Sequence, residues 1–293
     1  MEKKAGMSLT AQWQSLTAWL RGRAWSQSAS DEEAPLRSEL FSADQLEQHG
    51  KLLATTHQLG KERGPDLLLA RLADNERVLI SVCKLLTGAV ASKRQVTPAG
   101  EWLLDNFYLI EEQIHTAQRH LPKGYSRELP VLAGVAANRY PRVYGIALEI
   151  IAHGDGRIDP EGLRRFLAAY QTVTVLKLGE LWAIPIMLRL AIIENLRRVG
   201  VRVATGWRQR NLADSWADRM TLTAASDPKS LILEIADMAR SKPPMSSAFV
   251  AEIARRLQGR GPALALPLTW IEQHLAESGQ TIAQLVQQEN QRQ

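Results

Sequence analysis

The chain has 293 residues, of which 45% are hydrophobic and 23% charged, a balance typical of a soluble protein with a sizeable core. Its net charge of +5 is modest for this length and argues against a dedicated nucleic-acid binder. The single Cys83 excludes an intramolecular disulfide and a multi-cysteine zinc site.

Residues 1–40 are predicted to form a mobile or loosely docked arm. An amphipathic patch at 9–25 is followed by a polar, proline-containing run that has little to bury. The remaining residues, 41–293, predict a helical domain. Its first helix covers 42–59, because Ser42 is suited to cap it and Gln45 completes a capping box.

Apolar residues recur at helical spacing along the rest of the chain. One helix is predicted at 65–90, and another begins at Thr97, which precedes a proline suited to the first turn. Further helices are predicted at 140–153, 160–171, 177–200, 208–224, 228–240, 246–258, 264–277 and from 281 onward. No segment alternates with the period of a strand. The sequence therefore predicts an all-α fold, an irregular array of antiparallel helical hairpins with roughly a dozen helices.

The most apolar segment lies at 181–193 and contains Arg189. Because a membrane span needs about twenty apolar residues, we predict a buried central helix and no span. Pro185 lacks an amide hydrogen and its ring displaces the carbonyl of Leu181, so a kink is predicted at this point.

Metal sites are not predicted. The segment HGDGRIDPEG at 153–162 resembles part of a calcium-binding EF-hand loop, but with Gly156 as the turn glycine the first and last ligand positions are Ile151 and Gly162. Asp159 is instead suited to cap the helix that follows. The six histidines are scattered, with no His-x-x-x-His pair. We predict no metal and no cofactor.

Seven side chains are candidate contacts for a ligand or partner. Tyrosine stacks on sugar faces and arginine binds hydroxyls or carboxylates, but the same residue types also tie loops to helix ends, and both roles stay open. The candidates are Tyr125, Arg127, Glu128, Tyr140, Arg142, Glu180 and Trp182. The segments at 123–128 and 139–142, which contain the first five, are expected to be exposed.

No catalytic residue is predicted. The chain lacks a nucleophile elbow, a phosphate-binding glycine loop and the Asp-x-Asp and Gln-x-x-Arg-Trp strings expected of a processive glucosyltransferase. The carboxylates of Glu111 and Glu112, or of Glu180 and Glu194, would serve a glycosidase only if folding brought two of them within about 5–10 Å.

Four strings in the middle of the chain resemble the N-terminal region of the cyclic β-1,2-glucan synthases. They are EWLLDNFYLIEEQI at 101–114, LPKGYSRELP at 121–130, RYPRVYG at 139–145 and GELWAIPIMLR at 179–189. The resemblance runs from about residue 41 to the end and is sharpest between 102 and 198. It implies a large bacterial inner-membrane enzyme in which this region precedes a glucosyltransferase module that uses UDP-glucose and a phosphorylase-like module.

The resemblance implies a non-catalytic helical module on the cytoplasmic face of the inner membrane. Its partners would be the downstream glucosyltransferase and phosphorylase-like modules of the same longer chain, with β-1,2-glucan as a further candidate and no nucleic acid. The sequence is then expected to be truncated at its C-terminal end, where a weakly docked helix from 281 would continue. The alternative is an independent carbohydrate-active or glucan-binding helical domain.

Overall fold

A computed structural model describes residues 34–36, 39–60, 64–133, 140–154 and 156–291. The described residues contain eleven α-helices, namely α1 (Ala43–Thr56), α2 (Leu68–Ala91), α3 (Pro98–Asp105), α4 (Phe107–His120), α5 (Arg142–His153), α6 (Pro160–Gln171), α7 (Leu178–Ser226), α8 (Leu231–Ser241), α9 (Ser247–Leu257), α10 (Ala265–Ala276) and α11 (Ile282–Asn290). Extended pairing in these residues is limited to the isolated bridges Leu59 to Leu132 and Val131 to Pro141. The predicted all-α fold is confirmed. The amphipathic patch at 9–25 lies outside the described residues.

Side-chain caps begin several helices where the sequence predicted them. The Ser42 hydroxyl accepts the Gln45 N–H at 3.3 Å, and the Gln45 side chain accepts the Ser42 N–H at 2.8 Å, which completes the capping box of α1. Thr97 and Asp159 cap α3 and α6 through their side-chain oxygens. Each cap gives a partner to a backbone N–H that has none within its helix.

Helix α7 is continuous, and the two helices predicted at 177–200 and 208–224 are therefore wrong as separate elements. Gly200 and Gly206 lie where the two predicted helices would separate, and a glycine inside a helix costs up to about 1 kcal/mol. A Cβ at Gly200 would lie 3.6 Å from Leu79 and 3.7 Å from Leu103, which are ordinary contact distances, so this part of α7 packs beside α2 and α3 with room for a methyl group. Trp207 is buried nearby and its indole N–H donates to the Gln95 carbonyl. The packing of α7 against the rest of the protein therefore outweighs the low helix propensity of its glycines.

Two hydrophobic cores share α7. The first joins buried side chains of α1 to α6 with the first part of α7, up to Ala204. The second joins the last part of α7, from Ala213, with α8 to α11. Helix α1 covers α6 so closely that a Cβ at Gly50 would lie 2.9 Å from the Phe166 carbonyl oxygen. Residues Pro35–Gln293 form one compact unit.

Pro185 lies inside α7, as predicted, on an exposed position of a helix that is otherwise largely buried there. The kink at this proline stays a prediction. None of the helices in the described part of the chain, α7 included, carries an apolar stretch of the length that crossing a membrane requires.

Helix α11 buries the apolar stripe that the sequence indicated, including Ile282 and Leu285. The structure adds a contact that the sequence analysis did not foresee. Glu289 is buried and accepts a hydrogen bond from Arg210 at 2.9 Å and another from the Ser247 hydroxyl at 2.9 Å. These bonds tie α11 to α7 and α9. Weak docking and truncation of the chain stay predictions.

Candidate functional site

The candidate site is an apolar groove of about 520 Å³ between α3, α4 and the first half of α7. Nine of its twelve lining residues are apolar, and none is a carboxylate. The apolar lining consists of Trp102, Leu109, Ile110, Ile158, Pro185, Leu188, Ile192, Ile193 and Leu196, and the polar lining of Asn106, Gln113 and Arg189. The groove thus offers a water-exposed apolar surface with few hydrogen-bonding groups.

Helical periodicity builds one wall of the groove from α7. Pro185, Arg189, Ile192 and Leu196 follow one another at steps of three or four residues, so they share one helix face. From Pro185 to Leu196 this face extends for about 16 Å, at a rise of about 1.5 Å per residue. The wall is a regular stripe rather than a set of isolated contacts.

The opposite wall follows the same rule on α3 and α4. Trp102, Asn106, Leu109 and Gln113 are again spaced by three or four residues. Trp102 is 54% exposed and Leu109 41% exposed, so both keep much of their apolar surface in water. Side chains of this size are usually covered, which marks the groove as a contact surface.

The stripe on α7 continues toward the start of the helix. Leu178 and Trp182 precede Pro185 on the same face, and they are 63% and 75% exposed. Trp182, a predicted contact residue, is therefore available to a ligand or partner. The whole face from Leu178 to Leu196 is about 27 Å long at about 1.5 Å per residue.

Arg142 and Glu180, two more predicted contact residues, bind each other in the core. Arg142 Nε donates to Glu180 Oε1 at 2.7 Å and Nη2 donates to Oε2 at 2.7 Å, with both side chains 0% exposed. Nη2 also donates to the Val175 carbonyl, and Glu180 accepts the Lys177 N–H at the start of α7. The expectation that Arg142 is exposed is wrong, because it ties α5 to α7. Ligand contact by this pair stays a prediction.

Tyr125, Arg127 and Glu128 lie together in a 3₁₀ turn, Tyr125–Glu128, after α4. Asp66 anchors this turn by accepting the hydroxyl of Ser126 and the preceding backbone N–H. These hydrogen bonds hold the pKa of Asp66 below its usual value. Arg127 and Glu128 are exposed and Tyr125 is half-buried, so the turn presents a fixed polar surface. Its role in binding stays a prediction.

Tyr140 lies just before α5, with its ring centroid 5.4 Å from that of Tyr144. Tyr144 is buried, and burial raises the pKa of its hydroxyl. Tyr140 is half-buried and packs against the first core. None of the three polar candidate groups, at 125–128, at 140–142 and at Glu180, contributes a residue to the groove lining.

Glu194 is held by several cations and not by a second acid. Arg71 donates to it from Nε at 2.9 Å and from Nη2 at 2.6 Å, and Asn75, Arg197 and Arg198 donate to it as well. Burial alone raises its pKa, but Arg71 and Arg197 outweigh that effect and hold the pKa well below its usual value. Glu194 is therefore a fixed anion in the core.

Glu180 and Glu194 do not form the acid pair of a glycosidase. They lie fourteen residues apart on α7, which places them about 21 Å apart along the helix axis. The carboxylates of a glycosidase lie within about 5–10 Å. Both are also bound to arginine, so neither is available to protonate a sugar oxygen.

A group of metal-ligating side chains lies apart from the groove. His49 on α1 and both Glu149 and His153 on α5 place their ligand atoms within 4.8 Å of one another. The sequence analysis missed this group because His49 lies 100 residues before Glu149. The spacing Glu149-x-x-x-His153 on one helix face was the signal that could have indicated half of it.

Comparison with known proteins agrees with the resemblance in the four strings. In an alignment of 267 positions that covers 87% of its length, the chain is 31% identical to cyclic beta-(1,2)-glucan synthase NdvB of Rhizobium meliloti (strain 1021). The chain spans only 9% of the length of this relative. No protein-family model matches the chain.

Proposed function

We propose that this chain, which is similar to one stretch of a cyclic β-1,2-glucan synthase, is a non-catalytic helical module that supports glucan synthesis by other modules of a longer chain. The similarity over 87% of the chain is the observation that carries the proposal. Since the match covers 9% of the relative, most of that protein lies outside the matched stretch. The synthase activity is assigned to those other modules, with UDP-glucose as the glucosyl donor.

The chemistry of the groove supports a binding role without catalysis. Its lining has no carboxylate to act as acid or base, and it has no metal-ligating side chain. Within the described residues, the two acids that the sequence singled out on α7 are each neutralised by arginine. In this proposal the groove binds the surface of a partner, and other modules of the longer chain carry out the chemical steps.

The occupant that fits the groove best is an amphipathic helix from another module of the synthase. A helix docks into an apolar groove through side chains at every third or fourth position, and both walls here have that spacing. The α7 face from Leu178 to Leu196 matches a partner helix of about eighteen residues. The cytoplasmic face of the inner membrane is the location that this role requires, because UDP-glucose is a cytoplasmic donor.

Glucan binding in the groove is the second candidate. Trp102 is half-exposed beside Asn106 and Gln113, and a sugar ring stacks on an indole while its hydroxyls bind amides. The aliphatic side chains that make up most of the lining give no such contacts. The proportion of apolar groups therefore favours a protein helix over a sugar.

A chimera tests the proposal. The matched stretch of the Rhizobium meliloti synthase is replaced by this chain, and cyclic glucan formation from UDP-glucose is measured in membranes. We expect the chimera to make glucan. The L109D substitution should lower the rate of glucan formation by the chimera at least about tenfold, since a buried unpaired charge costs several kcal/mol. The matched control is L222D, because Leu222 is 72% exposed and lies outside the groove.

The isolated chain separates the two candidates. Titration with β-1,2-glucan should give no heat with the wild type, whereas glucan binding that W102A abolishes would establish the second candidate. Release of glucose from β-1,2-glucan, or transfer from UDP-glucose, that is abolished by changing one acidic residue would contradict a non-catalytic role.

A further inference from the structure

Three side chains, one on α1 and two on α5, converge on one point. His49 Nε2 lies 3.0 Å from Glu149 Oε2, and His153 Nε2 lies 3.5 Å from the same oxygen. His49 projects from α1, while Glu149 and His153 lie one turn apart on α5. Two imidazoles and one carboxylate are a donor set found at zinc sites with three protein ligands.

Two of the three spacings between these atoms match a tetrahedral ion. Metal–ligand bonds of about 2.0–2.1 Å place the ligands of a tetrahedral zinc about 3.3 Å from one another. The two distances to Glu149, 3.0 and 3.5 Å, bracket that value. All three ligand atoms lie within 4.8 Å of one another, so small side-chain rotations complete the arrangement.

The tautomer of His153 is already suited to metal binding. Its Nδ1 lies 2.8 Å from the Glu39 carbonyl oxygen, which only accepts hydrogen bonds, so Nδ1 carries the hydrogen. In the neutral ring the lone pair is then on Nε2, the atom that faces Glu149. A backbone carbonyl that orients an imidazole in this way is the usual outer partner of a metal-bound histidine.

Packing fixes the orientation of the His153 ring. The Phe41 ring stacks on it with centroids 3.9 Å apart and an angle of 9° between the planes. The Phe41 N–H also donates to the His153 carbonyl at 3.3 Å. The ligand is therefore held before any ion binds, which lowers the entropy cost of binding.

We propose that His49 Nε2, the Glu149 carboxylate and His153 Nε2 bind a divalent transition-metal ion, with zinc as the best fit. Imidazole nitrogens select against calcium and magnesium, which prefer oxygen ligands. Glu149 is 40% exposed, so an ion has a route from solvent and water completes the coordination. The ion cross-links α1 and α5 and stabilises the segment at 39–41 that His153 and Phe41 hold. This proposal is independent of the groove.

The test uses the whole chain, free of any affinity tag and stripped with a chelator. Isothermal titration with zinc chloride should give one equivalent bound, and the melting temperature should rise with zinc concentration. H49A and E149Q should each weaken zinc binding by at least about tenfold. Both positions are partly exposed, so these variants are expected to fold, which circular dichroism checks.

The matched control is H274A. His274 lies 3.6 Å from Glu277 in an exposed pair that has no third ligand among the described residues, so its removal should leave zinc binding unchanged. Calcium and magnesium at the same concentrations should give no heat. The proposal is overturned if zinc gives no one-to-one binding, or if H49A and E149Q bind zinc as tightly as the wild type.

Discussion

Arg142 on α5 and Glu180 on α7 form a two-pronged ion pair, with both bonds at 2.7 Å and neither side chain reached by solvent. The pair lies where the first residue of α5 meets the first turn of α7. Within the described residues Arg142 Nη1 has no hydrogen-bond partner. The hydrogen bonds of this buried guanidinium are therefore made by Nε and Nη2, to Glu180 and to the Val175 carbonyl. This contact fixes how two central helices cross.

Breaking this pair should destabilise the protein strongly. E180Q leaves the buried charge of Arg142 without its partner, and R142M does the same to Glu180. Each variant should therefore lower the free energy of unfolding by about 3–5 kcal/mol. The double variant R142M/E180M removes both charges, so it should lower the free energy of unfolding by less than either single change. Urea unfolding measures all three. R164A, which breaks the exposed pair of Arg164 with Glu161, is the control and should have no measurable effect.

Stability should fall at acidic pH because of Glu194. Its pKa is depressed in the folded protein, so its contribution is fully present above the unfolded pKa of about 4.3 and is lost as the pH falls below that value. E194Q should cost about 3–5 kcal/mol at pH 7, because Arg71 and Arg197 then lack their anion. The difference between wild type and E194Q should narrow between about pH 4 and pH 2. A difference that stays constant over this range would contradict the assignment.

Glu289 should decide how firmly α11 is held. E289A removes the bonds from Arg210 and Ser247, and hydrogen bonds to charged groups contribute about 1.5–3 kcal/mol. Amide hydrogen exchange in α11 should then accelerate tenfold or more. E277A is the control, because Glu277 is 76% exposed and outside α11. Equal exchange rates in the wild type and E289A would show that Ile282 and Leu285 hold this helix without Glu289.

Replacing Pro185 by alanine should preserve the fold and straighten α7. The variant gains a backbone N–H that can donate to the Leu181 carbonyl, and a proline inside a helix costs about 3 kcal/mol. We expect the free energy of unfolding to stay equal or to rise by up to that amount. A crystal structure of P185A would show the change in helix axis. A large loss of stability would mean that the groove depends on the proline.

Local sequence determined the fold class and most helix starts. Ser42, Thr97 and Asp159 cap helices as predicted, because a cap depends on a side chain and an N–H only a few residues away. The apolar run at 181–193 likewise predicted the helix that carries the α7 wall of the groove, although not which of its residues line the groove. Caps and apolar periodicity each involve residues within about a dozen positions of one another, so they can be recognised without knowledge of the tertiary fold.

Tertiary structure alone decided the contacts between distant parts of the chain. Helix α7 continues through Gly200, where it packs beside Leu79 and Leu103 from more than ninety residues earlier. Burial turned Arg142 from a predicted surface residue into an ion-pair partner of Glu180, and folding brought His49 to Glu149 and His153. A sequence pattern specifies which face of a helix is apolar. Which helix covers that face, and which charges meet there, depends on packing energies summed over the whole core.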